Sequence, residues 1–236
     1  AKAGGRMSLT AEQFVVSLDE RVNDILDACT KCGACASVCP TPKIAGLTES
    51  PEELGKGIVK ILQGETITGD SKAWAELCCG SGFCQSVCEE GINPRFMLSM
   101  ARRAINSREN LESRRIKGKK AFQKMSRGVR VLSRLQLAPD ILERLSPKSH
   151  PGDKNVPDVV FYTGCNMLKT PHIGLLCLDI LERLDFTYEV HGGPSTCCGI
   201  LQFRPGDVEG SARQALTSIK KLTKSKSSRI LSWCPT

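Results

Sequence analysis

The chain has 236 residues, of which 40% are hydrophobic and 25% are charged, and its formal net charge is +8 at pH 7. This composition is typical of a soluble globular protein with one or two domains. It argues against a membrane-spanning protein, because no apolar run approaches the roughly 18 residues that a bilayer span needs.

Much of the positive charge lies between Arg102 and Arg134, where twelve Lys or Arg residues fall. A nucleic-acid surface is one interpretation of such a basic stretch. However, Phe122 is the single aromatic residue there, and no nucleic-acid motif is present. We therefore favour a solvated helical face or a dock for an acidic protein partner.

Helical patterns dominate the first hundred residues. Thr10 followed by Gln13 is typical of a capping box and predicts a helix over residues 11–28. The run Ser50-Pro51-Glu52-Glu53 predicts a second helix start, with proline in the first turn and acids at the positive end of the helix dipole. Further helices are predicted over residues 71–77 and 93–110. Residues 8–118 are thus expected to form a helical domain.

A basic amphipathic helix and a linker are predicted for residues 119–157. The helix covers residues 119–145, and its apolar stripe is expected to pack against the protein itself. The linker "SPKSHPGDKNVP" is rich in proline, glycine and polar residues. The stripe consists of Phe122, Met125, Val129, Leu132 and Leu135.

Residues 158–236 change in character and predict an α/β domain with a parallel sheet. Strand patterns at "DVVFYTGC", "FTYEV" and "RILSWC" alternate with helical patterns over residues 172–184 and 205–224. Cysteines follow the ends of all three strands, at Cys165, at Cys197 and Cys198, and at Cys234. We expect these cysteines to meet at one edge of the sheet. Cys177 falls inside a helix and is interpreted as a packed core cysteine.

The thirteen cysteines come mostly in tight groups. Grouping of this kind favours thiolates bound to metal in a reducing compartment over a disulfide framework. The groups are Cys29, Cys32, Cys35 and Cys39; Cys78, Cys79, Cys84 and Cys88; and Cys197 and Cys198.

The first cysteine run, "CTKCGACASVCP", has the spacing of bacterial iron–sulfur ferredoxins. In that pattern the first three thiolates bind one cluster, and the fourth cysteine binds the other cluster. We therefore expect Cys29, Cys32, Cys35 and Cys88 to hold one [4Fe-4S] cluster. Gly33 is expected to let the backbone approach it closely. A zinc site is disfavoured, because zinc sites usually separate two cysteine pairs by a longer interval.

The second run, "CCGSGFCQSVC", departs from that spacing at one position. Ser81 stands where the second cysteine is expected, and Cys79 is an extra thiol. Three alternatives remain open for the cluster of Cys39, Cys78 and Cys84. In the first, which we favour, Cys79 is the fourth ligand of a [4Fe-4S] cluster. In the second, a [3Fe-4S] cluster forms, because the iron that a fourth cysteine would bind is absent. In the third, Ser81 binds that iron through its oxygen.

Two such motifs on a helical domain resemble the C subunit of heterodisulfide reductase. Similar modules occur in the iron–sulfur subunits of glycolate oxidase and anaerobic glycerol-3-phosphate dehydrogenase. The pattern Cys165, then Cys197-Cys198-Gly199, then Cys234 resembles the CCG motif of the heterodisulfide reductase B subunit. That motif ends in C-x-x-C, whereas this chain stops at Thr236. The expectation is therefore a truncated CCG domain.

The resemblance implies a non-cubane [4Fe-4S] cluster bound by five cysteines if the domain is complete. Cys165, Cys197, Cys198 and Cys234 would be four of these ligands and the catalytic cysteines, and the fifth ligand is missing from this chain. It implies an iron–sulfur subunit of a heterodisulfide reductase-like complex that acts on disulfide, thiol or sulfane sulfur. The alternative is an iron–sulfur subunit of a flavin-linked glycolate, lactate or glycerol-3-phosphate dehydrogenase that relays electrons toward quinone. Either function implies other redox subunits, including a flavoprotein, and a cytoplasmic location or membrane association through a partner.

Overall fold

The computed structural model describes residues 10–145 and 156–234 of the chain. These residues form two compact units. A helical unit comprises Glu12–Ile116 with the short segment Phe203–Asp207, and an α/β unit comprises Lys117–Gln202 and the chain from Val208 onward. Most of the predicted linker, residues 146–155, lies outside the described residues. The boundaries of the three predicted segments stay predictions.

The helical unit follows the predicted order of elements, with short helices added around the first cysteine run. Ser50 caps one helix, because its side chain accepts a hydrogen bond of 3.2 Å from the N–H of Glu53. Asn93 caps another in the same way, with a bond of 3.0 Å from Phe96 N–H. The helices are α1 (Ala11–Ala28), α2 (Ala34–Ser37), α3 (Pro40–Ile44), α4 (Pro51–Leu62), α5 (Asp70–Leu77) and α6 (Pro94–Asn106).

The core of the helical unit lies directly against the cysteines. Ile58, Trp74 and Ala101 are completely buried at its centre. Burying a side chain such as Ile58 contributes roughly 1.5–3 kcal/mol to folding. The cysteines that pack against this core are Cys29, Cys35, Cys39 and Cys78. The cysteine loops are thus held by a well-packed scaffold.

The basic amphipathic helix begins and ends earlier than predicted. It forms α7 (Leu111–Gln136) and is followed by the short helix α8 (Pro139–Arg144). Asn110 accepts a 2.7 Å hydrogen bond from Ser113 N–H, which fixes the early start. Pro139 holds the preceding residue extended and so separates the two helices.

The predicted apolar stripe of α7 packs against the protein over only part of its length. Val129 is buried, and Phe122 and Met125 are half-buried. Leu132 and Leu135 are 37% and 78% exposed. The prediction of internal packing is therefore correct for the first three members of the stripe and wrong for the last two.

The α/β unit contains the predicted parallel sheet, with strand order β2-β1-β3. Phe161 of β1 lies opposite Val190 of β2 and Leu231 of β3. Cys177 packs half-buried against the core of this unit, as predicted. The elements are β1 (Val159–Gly164), α9 (Pro171–Arg183), β2 (Tyr188–Gly192), α10 (Ile200–Phe203), α11 (Val208–Leu222) and β3 (Ile230–Ser232).

The fold class predicted from the sequence is confirmed: a helical unit precedes an α/β unit with a parallel sheet. In the described part of the chain, no helix combines the length and apolar character needed to cross a lipid bilayer.

Candidate functional site

Four cysteines from the two runs line one cavity in the helical unit. Cys29 follows the last turn of α1, Cys32 lies in the next loop, Cys35 lies on α2, and Cys88 comes from the second run. The cavity has a volume of about 240 Å³. These are the four residues that the ferredoxin pattern assigns to one cluster, in which the last cysteine of one run binds the cluster of the other run.

The electrostatics around Cys35 reflect this crowding of thiols. Burial, together with the neighbouring thiols of Cys84, Cys29, Cys32 and Cys88, raises the pKa of Cys35 to about 12. Without a bound cluster, the Cys35 thiol therefore keeps its proton at neutral pH. Thiolate is the form that binds iron, so cluster binding at this site releases protons.

The loop before α2 depends on a glycine. Gly33 has a φ of +78°, and an added Cβ would lie 2.5 Å from the carbonyl carbon of Pro51 in the first turn of α4. Only glycine meets both demands, because a side chain is strained at this φ and would collide with rigid backbone. The sequence predicts that Gly33 lets the backbone approach a cluster, which stays a prediction; the close approach that the structure has is to the backbone of α4.

A second group of thiols surrounds Cys84. Burial raises the pKa of Cys84, and the neighbouring thiols of Cys39 and Cys78 raise it further. Cys39 immediately precedes α3, and Cys78 immediately follows α5. Cys84 itself is buried in a 3₁₀ turn over Phe83–Gln85. The structure thus brings together the three cysteines predicted to share the second cluster.

The two candidates for its fourth corner lie beside each other. The Cys79 thiol is exposed, and hydrogen bonds involving first Ser81 and then Thr41 lower its pKa. Thr41 lies two residues after Cys39, so its hydrogen bond with Cys79 connects the pair of Cys79 and Ser81 to the second group of thiols. The turn is built on glycine, since Gly80 and Gly82 both have positive φ angles.

Sequence reasoning missed two side chains that support this second group. The indole N–H of Trp74 donates a hydrogen bond of 3.3 Å to the sulfur of Cys39. Arg102 on α6 donates to the carbonyl oxygens of Ala75 at 2.9 Å and Cys78 at 3.0 Å. The second of these hydrogen bonds holds the carbonyl group of Cys78, the residue that directly follows the last turn of α5. The position of Trp74 one helical turn before Cys78 was the available signal.

The third group of cysteines lies at the carboxyl edge of the parallel sheet. Cys165 follows β1, Cys197 and Cys198 follow β2 after a short loop, and Cys234 follows β3. A hydrogen bond between the Cys165 and Cys197 thiols lowers the pKa of Cys165 and raises that of Cys197. A hydrogen bond with Cys197, and then burial, raise the pKa of Cys198. The expected convergence at one sheet edge is therefore present.

Two glycines let the backbone fit tightly around this group. Gly164 has a φ of +71°, and an added Cβ would lie 2.6 Å from Cβ of Cys234. Gly199 has a φ of +90°, and an added Cβ would lie 2.6 Å from the carbonyl oxygen of Ser211 on α11. The glycine of the Cys-Cys-Gly sequence is thus needed for packing against a helix.

Helix α11 fastens the loop that carries the two adjacent cysteines. The buried Ser218 hydroxyl donates to the carbonyl oxygen of Cys197 at 2.9 Å. Lys221 donates to the carbonyl oxygen of Ser195 at 2.7 Å. On β1, the Tyr162 hydroxyl donates to the carbonyl oxygen of Thr196 at 2.8 Å. Burial and then the surrounding thiols raise the pKa of Tyr162, so this donor keeps its proton.

The chemistry of the donors fits iron–sulfur clusters. Within residues 10–145 and 156–234, no three Cys, His, Asp or Glu side chains form a group that could hold a single metal ion. In a cluster, each thiolate binds a different iron, so ligands spread around a cavity are suitable. The assignment of each cysteine to a particular cluster stays a prediction.

Two family models match the chain. The model described as a 4Fe-4S binding domain matches residues 22–42, which contain the first cysteine run. The model described as a Cysteine-rich domain, the CCG family, matches residues 159–236.

Three curated relatives carry heterodisulfide reductase names. A protein of Archaeoglobus profundus, named as similar to the C subunit of heterodisulfide reductase, is 26% identical over 136 residues, which are 54% of this chain and 70% of that protein. The D subunit of the dihydromethanophenazine:CoB--CoM heterodisulfide reductase of Methanosarcina mazei is 27% identical over 210 residues. Its counterpart in Methanosarcina acetivorans is 25% identical over 206 residues.

Both Methanosarcina matches cover 78% of this chain and 48% of the relative, so the chain spans about half the length of those relatives. No solved structure matches the chain significantly. The two family models and the three relatives agree with the arrangement of cysteines in the two units. The chain is therefore similar to heterodisulfide reductase subunits, and its match to a 4Fe-4S binding domain precedes its match to a cysteine-rich CCG domain.

Proposed function

We propose that the chain is an electron-transfer and catalytic subunit of a heterodisulfide reductase-like complex. Electrons would pass from two ferredoxin-type clusters in the helical unit to a cluster in the α/β unit. The observation that carries this proposal is the presence, on one chain, of two ferredoxin-type thiol groups and a third thiol group at the edge of a parallel sheet.

The proposed ligand sets follow the three thiol groups. The first cluster, a [4Fe-4S] cluster, uses the four cysteines that line the cavity in the helical unit. The second uses Cys39, Cys78 and Cys84, with Cys79 as the favoured fourth ligand. A [3Fe-4S] cluster without a fourth ligand is the alternative for this position. The third, a non-cubane [4Fe-4S] cluster, is bound by Cys165, Cys197, Cys198 and Cys234.

At the third site, the bound cluster would supply iron for chemistry on disulfide, thiol or sulfane sulfur. The chain's own part is to hold the thiols in place and to keep the site ordered. Ser218 and Tyr162 do this by holding the carbonyl oxygens of Cys197 and Thr196. The electron chemistry belongs to the cluster in this proposal, and the two protons that reduction of a disulfide to two thiols takes up come from solvent.

The partners are proposed to be other redox subunits, including a flavoprotein. The relatives carry the names of heterodisulfide reductase subunits, which supports a multi-subunit setting. The proposed location is the cytoplasm, with membrane association through a partner. Co-purification with a flavoprotein that oxidises a 2-hydroxy acid would instead favour the dehydrogenase alternative.

The test is anaerobic reconstitution of the chain with iron and sulfide, followed by metal analysis and EPR. We expect signals from more than one cluster. Cys197→Ala should lose the signal of the third cluster and keep the other signals. Cys177→Ala, which changes a packed cysteine outside the three groups, is the matched control and should keep all of them. If the protein bound zinc and incorporated neither iron nor sulfide, the proposal would be overturned.

Catalysis is tested separately from cluster binding. We expect the reconstituted protein to oxidise reduced benzyl viologen when a disulfide is added, and Cys197→Ala to lose this activity. A protein that holds all its clusters but shows no disulfide-dependent oxidation would be an electron-transfer subunit without a catalytic role.

A further inference from the structure

We propose that Trp74 and Arg102 raise the reduction potential of the second cluster, so that electrons move from the first cluster to the second. This inference rests on the proposed function, since it requires clusters at both thiol groups of the helical unit. The balanced step is transfer of one electron: the first cluster is oxidised, the second is reduced, and no bond is broken.

Trp74 makes an unusual contact for a buried tryptophan. Its side chain is completely buried, and its indole N–H points to the sulfur of Cys39 at 3.3 Å. A buried indole N–H needs an acceptor, and here the acceptor is a proposed cluster ligand. A hydrogen bond to a ligating sulfur withdraws negative charge from the cluster and stabilises its reduced form.

Arg102 adds a positive charge at the same group. It is about half-buried, and burial lowers its pKa, but an arginine side chain remains protonated in proteins. Two of its nitrogens are fixed on the carbonyl oxygens of Ala75 and Cys78. A partly buried cation is weakly screened and therefore favours the more negative, reduced state of a nearby cluster. Arg95 also acts on this group, since its charge partly offsets the rise in the pKa of Cys84 that burial and the neighbouring thiols cause.

The first group has a different electrostatic environment. Its cavity is lined by Glu89 and Glu90 as well as by Lys31, so acidic residues outnumber basic ones there. Extra negative charge disfavours adding an electron to a cluster in this cavity, whereas the second group offers an indole N–H donor and two arginine side chains. The second cluster should therefore have the higher reduction potential.

The experiment is an EPR-monitored redox titration of the anaerobic, reconstituted full chain. Trp74→Phe keeps an aromatic ring and removes the N–H donor. At a fixed potential near the midpoint, we expect the ratio of oxidised to reduced second cluster to rise about tenfold, equivalent to about 59 mV for a one-electron couple. The first cluster should titrate as in the wild type.

Arg102→Gln provides an independent test, because it removes the positive charge but keeps a long polar side chain at this position. It should also lower the potential of the second cluster, and Arg102→Lys should restore part of the shift. The matched control is Arg103→Gln, which removes the neighbouring arginine of α6, whose partner is Asp19 at 2.6 Å. This control should leave both potentials unchanged.

The outcomes separate this inference from the proposed function. If both clusters form and the potential of the second is unchanged in Trp74→Phe and Arg102→Gln, the inference is wrong and the proposed function stands. A wild-type second cluster with a lower potential than the first also overturns the inference alone. Wild-type protein that binds no second cluster overturns the proposed function, and the inference with it.

Discussion

Replacing Gly199 with alanine tests whether the glycine of the Cys-Cys-Gly sequence is needed for packing. At a φ of +90°, an alanine would be strained by about 1–2 kcal/mol. Its Cβ would also lie 2.6 Å from the carbonyl oxygen of Ser211, which is backbone in the first turn of α11 and cannot rotate away. Forcing extra volume into a packed site costs about 1–3 kcal/mol. The two effects together predict a loss of roughly 2–5 kcal/mol in the free energy of unfolding.

The assay is urea denaturation of Gly199→Ala and wild type, with the change in midpoint converted through a common slope. Gly193→Ala is the matched control in the same loop. Gly193 also has a positive φ, +75°, but an added Cβ there would meet nothing within 4 Å. Because its ψ of −176° puts Gly193 in a backbone region nearly restricted to glycine, an alanine there should show strain of about 1–3 kcal/mol, at or above that expected at Gly199, without overlap. Equal losses for the two variants would refute the packing argument.

Three further predictions concern the helical unit. Ser50→Ala removes the cap of α4 and should cost about 1 kcal/mol of unfolding free energy, measured by chemical denaturation. Cys79→Ala should lower the iron content by one iron per chain and produce the EPR signal of a [3Fe-4S] cluster, whereas Ser81→Ala should not; the reverse result would identify Ser81 as the ligand. Hydrogen bonds from the backbone of Glu49 and Thr48 lower the pKa of Asp70, so an NMR titration of its carboxyl should give a midpoint below the usual value of about 3.9. Its stabilising effect is present above that value and is lost as the pH falls through the lowered pKa, and Asp70→Asn should abolish this dependence.

The elements that the sequence predicts well are those whose signals are local. The caps at Ser50 and Thr10 and the apolar spacing of α1 predict helices at the observed positions, because each depends on residues within a few positions. The end of α7 is predicted too late. The stripe through Leu132 and Leu135 has helical spacing, but Pro139 interrupts the helix and these two side chains are exposed.

The positions of the cysteines are predictable, but their supporting contacts are not. Strand order and cysteine spacing place Cys165, Cys197 and Cys234 at one edge, since parallel strands share that edge. The contacts of Trp74 with Cys39, and of Gly199 with Ser211, join residues far apart in sequence. No periodicity connects such residues, so they become visible only when the helices are packed against one another.

The irregular second cysteine run contributes cysteines to two sets of thiols. Cys88 lines the cavity with Cys29, Cys32 and Cys35, and Cys84 lies near Cys39 and Cys78. In the proposed ligand sets the run therefore serves two thiol groups, and the open choice beside Ser81 concerns the second of them alone. Cys79, by contrast, is exposed, and the shifts in its pKa come from hydrogen bonds with Ser81 and Thr41. A change of ligand at this corner would alter one iron of the second cluster, while Trp74 continues to hold Cys39.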